Sequence, residues 1–435
     1  MRTDILIVGS GCAGLYCALN LPQNKRITII TKSDAESNDS HLAQGGMCML
    51  RDESDYESFF EDTLKAGHYE NDRVSVEIMI RSSPDVVKDL LSYGADFQKD
   101  ENGNLVFTRE GAHSQKRIIY HEDVTGKEIT STLLKKAKEQ SNITILEHTT
   151  LIDIVEAENV CYGAVIQKED GMLEVVEADY TVLATGGVGG LYKHSTNYNH
   201  LTGDALAIAI KHGIALKDVH YVQIHPTTLY AEEDRSFLIS ESVRGEGAVL
   251  RDKNGNRFVN ELLPRDLLTI EIWKQMEKDG TEFVWEDLRT IPEKELKEHF
   301  PNIIEHCKKM GYDVTKECIP IVPAQHYFMG GVKVDYQSKT TMEQLYAVGE
   351  TACNGVHGKN RLASNSLLEC LVFAKRAAQD MIKNMASVKR NNEIIEHVDI
   401  QQYLDVKKIQ EEYRGLVKLE IEKSKKRGEE KCTIK

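Results

Sequence analysis

A chain of 435 residues, 41% of them hydrophobic, can bury a large core, and the usual domain-size prior divides it into two or three domains. A formal net charge of -15, without a dense Lys/Arg block, argues against nucleic acid or an anionic membrane as partner and leaves a small molecule. Nine cysteines without a CxxC pair offer neither a disulfide framework nor a zinc or iron–sulfur site, so no metal is expected and they read as reduced thiols of a cytoplasmic protein.

The first element is "DILIVG", a buried parallel-strand pattern, followed by "GSGCAG" with glycines at 9, 11 and 14 and by "LYCALNL" at helical spacing. Gly9 permits a tight turn, Gly11 lets the backbone approach a pyrophosphate, and Gly14 allows close helix–strand packing. Ser10, Cys12 and Ala13 fill the loop, and the helix end beyond it presents unpaired N–H groups and a positive dipole. A secretory apolar segment is the alternative, but Asp4 and three interior glycines disfavour it. "RITIIT" (26–31) adds a second strand and completes a βαβ unit. An acid for an adenosine ribose usually follows that strand; here Lys32 stands there instead.

Farther along, "TVLATGGVGGLY" (181–192) and "QLYAVGE" (344–350) are short apolar strands ending in small-residue turns. Strands returning to one sheet from so far apart predict a doubly wound domain interrupted by an insertion. The texture changes between them, so the expected division is a dinucleotide domain of residues 1–222 and 329–385, a cap of residues 223–328, and a C-terminal tail of residues 386–435. In "HGKNRLASNSLLEC" (357–370), Ser366 and Glu369 have capping-box spacing and Leu367, Leu368, Leu371 and Val372 form an apolar stripe, which predicts a helix starting near Ser366. Capping does not account for His357, Asn360 and Arg361 just upstream; a positive helix end beside an arginine suits an anion, either a reduced flavin ring or a dicarboxylate.

The ordered set "SNDSHLAQGGM", "TREGAHS", "ATGGVGGLY", "TGDALAIA", "IHPTTLY", "SESVRGEGA", "LLPRDLL", "HYFMGGV" and "GETACNGVHGKNRLASNSLLEC" resembles the succinate dehydrogenase/fumarate reductase flavoprotein family, and within it the aspartate oxidase branch. The likeness covers roughly residues 1–385. It implies a Rossmann-like FAD-binding domain with an inserted α+β capping domain, and an enzyme that oxidises L-aspartate to iminoaspartate with O2 or fumarate as acceptor. That reaction opens de novo NAD synthesis, which adds a quinolinate synthase as a partner for the product. By motif match, Ser10 to Ala13, Lys32, the run Asp39, Ser40, His41, Leu42, Ala43, Gln44, Gly45 and Gly46, and Asp204, Glu350, Ser366 and Leu367 fall on FAD-contacting positions.

The same resemblance places Gln44, His225, Ser240, His326 and Arg361 around a dicarboxylate. It makes Arg265 the catalytic arginine, either a proton carrier or a purely electrostatic anchor, with Glu241 and Arg244 as a relay to solvent. Two departures separate subfamilies. Respiratory members attach FAD through a histidine where this chain has Asp39, which implies noncovalent FAD. Glu110 matches the aspartate oxidases' glutamate, which would pair with the substrate ammonium; the other reading of a lone glutamate is a solvated loop charge. A soluble fumarate reductase or succinate dehydrogenase subunit and a noncatalytic flavin-fold assembly subunit are the competing readings. The charged tail has room for one or two helices, whose amphipathic pattern either docks on the core or gives way to disorder in "KSKKRGEEK" (423–431).

Overall fold

In the computed structural model, which describes residues 1–231 and 235–433, the opening strand Arg2–Val8 lies inside a seven-stranded sheet. It pairs in parallel with Ile27–Ile30 on one side and with Leu173–Leu183 on the other, Ile5 facing Ile27 and Tyr180. Its apolar run is buried on both faces because helices cover both, as parallel sheets require. The strand Leu345–Ala347 joins the far side of Leu173–Leu183, also in parallel, so the two strands expected to return from a distance meet in one sheet. Ile143–Leu146 forms the other edge, and Val160–Gln167 and Thr150–Ala157 extend the sheet as an antiparallel ribbon.

The two-residue side-chain period sorts the core into two layers. Ile5 and Ile7 face the helices Cys12–Leu19 and Asn365–Asn384, while Leu6 and Val8 face the helix Asp204–Lys211. A second sheet, all antiparallel, is built from Val222–Leu229, Ile319–Phe328, Val284–Asp287 and Val249–Arg251. It packs its own core of Leu229, Val243, Leu268, Ile272 and Ile303. The fold is α/β: a Rossmann-like sheet with an inserted α+β unit. The strand Ile319–Phe328 ties the two together, since Thr196 N–H donates to the Gln325 carbonyl at 2.9 Å and Gln325 N–H to the His194 carbonyl at 2.9 Å.

Of the two readings of the tail, the docked one describes the helix Val406–Thr433 through Ser424. Tyr413, Val417 and Ile421 are buried against the layer that holds Leu206 and Ile208. Tyr413 donates to the Ile152 carbonyl at 2.9 Å, and Tyr403 to Asp153 at 3.0 Å. A helix this polar is held by such a stripe rather than by propensity. Replacing Ile421 with alanine removes buried side-chain volume from that seam, so the expected loss of stability is about 2–5 kcal/mol, read as a lower urea midpoint. An unchanged midpoint would mean that the helix contributes nothing to the global fold.

Candidate active site

A cleft runs between the edge of the large sheet and the inserted unit. At one end lies the glycine turn. Gly9 has φ 119, and a Cβ there would collide with the Ala184 carbonyl; one on Gly14 would collide with the Gly9 carbonyl. Gly9, Ser10, Gly11 and Ala13 line the cleft, whereas Cys12 and Gly14 lie behind that wall, where they set the closeness of helix and strand. Gly11 caps the helix Cys12–Leu19 without a side-chain bond, leaving backbone N–H groups facing the cleft; the first of them, Cys12 N–H, is taken up by Ser40 Oγ at 3.2 Å. Ser10 spends its hydroxyl on the fold instead, donating to the Ala35 carbonyl at 2.9 Å.

Lys32 is not an isolated cation in place of the expected acid. Its ammonium is 2.5 Å from Asp204 Oδ2, so the carboxylate arrives from a different element, the first turn of the helix Asp204–Lys211. Both line the cleft, as do Asp39, Ser40, His41, Leu42, Ala43, Gln44, Gly45 and Gly46 and, across from them, Glu350, Ser366 and Leu367. Asp39 Oδ1 accepts from Tyr198 N–H at 3.1 Å, and its Oδ2 is buried without a hydrogen-bond partner among the described residues. Burial raises the carboxyls of both Asp39 and Glu350, and Asp39 raises Glu350 further. A helix N-terminus beside the glycine turn, glycines that admit close backbone approach, and unsatisfied buried polar atoms along one wall fit a dinucleotide such as FAD.

The far end of the cleft gathers charge. Arg265, the first residue of the helix Arg265–Asp279, donates Nε to Glu241 Oε2 at 2.6 Å and Nη1 to Gln223 Oε1 at 2.8 Å. Arg361 donates Nε to the same Gln223 oxygen at 3.3 Å and Nη1 to Ser366 at 2.7 Å, with its plane over the Tyr327 ring. Burial pushes the Arg361 guanidinium down to about 10, and Arg265 adds to the effect. The rings of His225 and His326 lie 5.1 Å apart, both held neutral by burial and by the neighbouring arginines. His225 Nδ1 faces the Thr227 backbone and Thr196 holds His326 Nδ1 at 2.8 Å, which leaves both Nε2 atoms for a ligand. Gln44 and Ser240 also line this end, Ser240 while capping the helix Glu241–Gly245.

Glu110 is buried in the same wall, not solvated, and Ser364 Oγ donates to its Oε2 at 2.6 Å. Burial raises its carboxyl, and Glu241 opposite raises it further. Glu241 is the opposite case: burial raises it, but Arg265 and Arg244 overcome that and hold it below the usual range. Arg244 lies outside the cleft wall, with Nη1 donating to the Glu261 carbonyl at 2.7 Å and Nε and Nη2 unsatisfied among the described residues.

Two expectations about the segment 357–370 need correction. The helix starts at Asn365, next to the expected Ser366, but no capping box forms: Glu369 pairs with Asn354, and Ser366 accepts from Arg361. His357 is behind the wall, its ring edge-on to Tyr327, and Asn360 accepts from the Gln223 amide at 2.7 Å, so of those three only Arg361 lines the cleft. Gln223, which bridges both arginines, was not anticipated; its place two residues before His225 on a strand, hence on the same face, was the available signal.

The chain matches the family model described as FAD binding domain over residues 4–367. It is 48% identical to an L-aspartate oxidase of Clostridium perfringens over 92% of this chain and 91% of that protein. It is 45% identical to an L-aspartate oxidase of Clostridium acetobutylicum, covering 90% of each. Among solved structures, a quinol fumarate reductase flavoprotein of E. coli superimposes with a TM-score of 0.85 at 31% identity, over 91% of this chain and 72% of that one. With this fold, this FAD-type cleft and this degree of identity across nine-tenths of its length, the chain belongs to the L-aspartate oxidase family of the succinate dehydrogenase/fumarate reductase flavoproteins.

Proposed function

We propose that this flavin-dependent oxidoreductase oxidises L-aspartate to iminoaspartate, with noncovalent FAD, O2 or fumarate as terminal acceptor, and release of the product toward a quinolinate synthase in NAD biosynthesis. The observation that carries the reading is the pairing of a buried dicarboxylate cradle with a buried carboxylate, Glu110, in its wall. The eight cysteines described in the structure are all free thiols, which supports a reducing, cytoplasmic setting, and no described helix is long and apolar enough to cross a membrane.

Arg265 and Arg361 offer guanidinium forks suited to the two carboxylates, and the neutral imidazoles of His225 and His326 line the same space without adding charge of their own. Two fixed carboxylates orient the substrate, so Cα–H points one way without further ordering cost. Glu110 faces the third polar group, the ammonium, and Gln44 and Ser240 complete the lining. FAD, when bound, supplies the two-electron acceptor for the hydride from Cα. The Arg265–Glu241 contact at 2.6 Å gives a leaving proton a first acceptor, with Arg244 three residues farther along the same helix.

The alternative reading, a succinate or fumarate enzyme, is disfavoured by Glu110, because a charged carboxylate there repels a substrate that has no ammonium. An inert assembly subunit is disfavoured by the intact cationic site. Anaerobic mixing with L-aspartate, D-aspartate and succinate separates the readings: only L-aspartate should bleach the flavin rapidly.

Three further outcomes are expected. Because Asp39 stands where respiratory relatives carry the linking histidine, acid or heat denaturation should release all the flavin, and fluorescence remaining with the protein band on a denaturing gel would contradict noncovalent binding. Arg265→Lys should lower the rate of flavin reduction by more than the roughly 10²–10⁴-fold typical of one acid–base group, because the bidentate fork is lost as well. A near wild-type rate at saturating aspartate would leave Arg265 as an anchor only. Glu110→Gln should lower kcat/KM for L-aspartate by roughly 10²–10³-fold while fumarate reduction falls much less. Equal loss of both activities would assign Glu110 to structure, and equal retention would move specificity elsewhere.

A further inference from the structure

Ser364 occupies the N-cap position of the helix Asn365–Asn384, yet its side chain makes no capping bond. Its backbone is left-handed, φ 61, a conformation that a non-glycine residue keeps only where its surroundings hold it. Those surroundings are identifiable. The Ser364 carbonyl accepts from Cys48 N–H at 3.0 Å, and its hydroxyl accepts from Gly46 N–H at 3.2 Å, so the residue is tied at two points to the segment following Gln44. With an oxygen lone pair engaged by Gly46, the single hydroxyl hydrogen is directed at Glu110 Oε2, 2.6 Å away. Gly45 leaves the space this needs: a Cβ there would press on the Glu110 carboxylate at 2.6 Å.

We propose that Ser364 is the positioning residue for substrate specificity, its hydroxyl aiming the Glu110 carboxylate at the ammonium of an α-amino dicarboxylate. The proposal rests on reading Glu110 as the ammonium partner. Of the charged and titratable groups around Glu110, Glu241 raises its carboxyl while Arg265 and Arg361 lower it, and the buried Cys48 thiol lies nearby. Burial is the largest influence and works against the charged form; the Ser364 hydrogen bond is the first of the opposing ones. Loss of that bond therefore raises the Glu110 carboxyl further, so the charged form needed to hold an ammonium appears only at higher pH.

Two variants separate hydroxyl from backbone. Ser364→Gly removes the hydroxyl and suits the left-handed φ, while Ser364→Ala removes it and keeps the strain. In both, kcat/KM for L-aspartate should fall by roughly 10–100-fold, mainly through KM, and by more than kcat/KM for fumarate. The acid limb of the L-aspartate profile should move to higher pH. In a Glu110→Gln background, Ser364→Gly should cause little further loss of the aspartate-to-fumarate ratio, because the two residues act through one contact. An unchanged ratio and an unmoved acid limb in both single variants, with Glu110→Gln still lowering aspartate oxidation far more than fumarate reduction, would overturn the proposal alone. If Glu110→Gln changes both activities equally, the reading of Glu110 falls and the proposal with it.

Discussion

Arg265 and Arg361 are buried side by side and share one acceptor, the Gln223 side-chain oxygen. Two guanidiniums in such a place repel each other, and the lowering of Arg361 is one measure of it. Removing charge from water is expensive unless partners are supplied, so the remainder of the site can be understood as compensation. Glu241 answers Arg265 directly, the Tyr327 ring lies under Arg361, and the two histidines stay neutral because a third and fourth cation would be worse. What these groups do not satisfy is left for a dianionic ligand.

The architecture makes that concentration of charge possible. Arg361 and Ser364 precede a helix packed on the large sheet, whereas Arg265, Glu241 and His225 belong to the inserted unit, so the site exists only where the two meet. Gln223 is the residue that fixes the meeting: its amide nitrogen donates to Asn360 and to the Arg361 carbonyl at 2.9 Å, and its oxygen accepts from Arg265. One amide thus links the two forks, which Glu241 and Ser366 hold on their own sides.

Local periodicity and glycine chemistry made the sheet legible. The strand–turn–helix start and the distant strands that return to it follow from apolar runs bounded by small residues, and the structure pairs them in parallel. Features fixed by long-range partners were not legible. Ser366 and Glu369 have capping-box spacing, but Arg361 and Asn354 compete for them and win, because charge-assisted and buried bonds outweigh a helix cap. Lys32 looked anomalous only because its carboxylate, Asp204, comes from 172 residues away. The docked helix of the tail was open to either reading, since its stripe of Tyr413, Val417 and Ile421 is too sparse to declare itself without the surface it covers.

Charge balance also explains why one fold can serve two related substrates. Arg244, Arg265 and Arg361 against the carboxylates Glu110 and Glu241 leave one positive charge when all five are ionised, since Glu286 beside Arg244 and Glu350 beside Arg361 are pushed up to about 8 by burial and stay protonated. L-Aspartate carries two carboxylates and an ammonium, so its single net negative charge brings the site to neutrality. Succinate or fumarate, with no ammonium, leaves one negative charge in a desolvated space, where it is costly. On the proposed reading that difference falls on Glu110: burial and Glu241 already raise its carboxyl, so protonating it offsets a second net negative charge. On the proposed role of Glu110, the glutamate that favours an amino acid when charged tolerates a plain dicarboxylate when neutral.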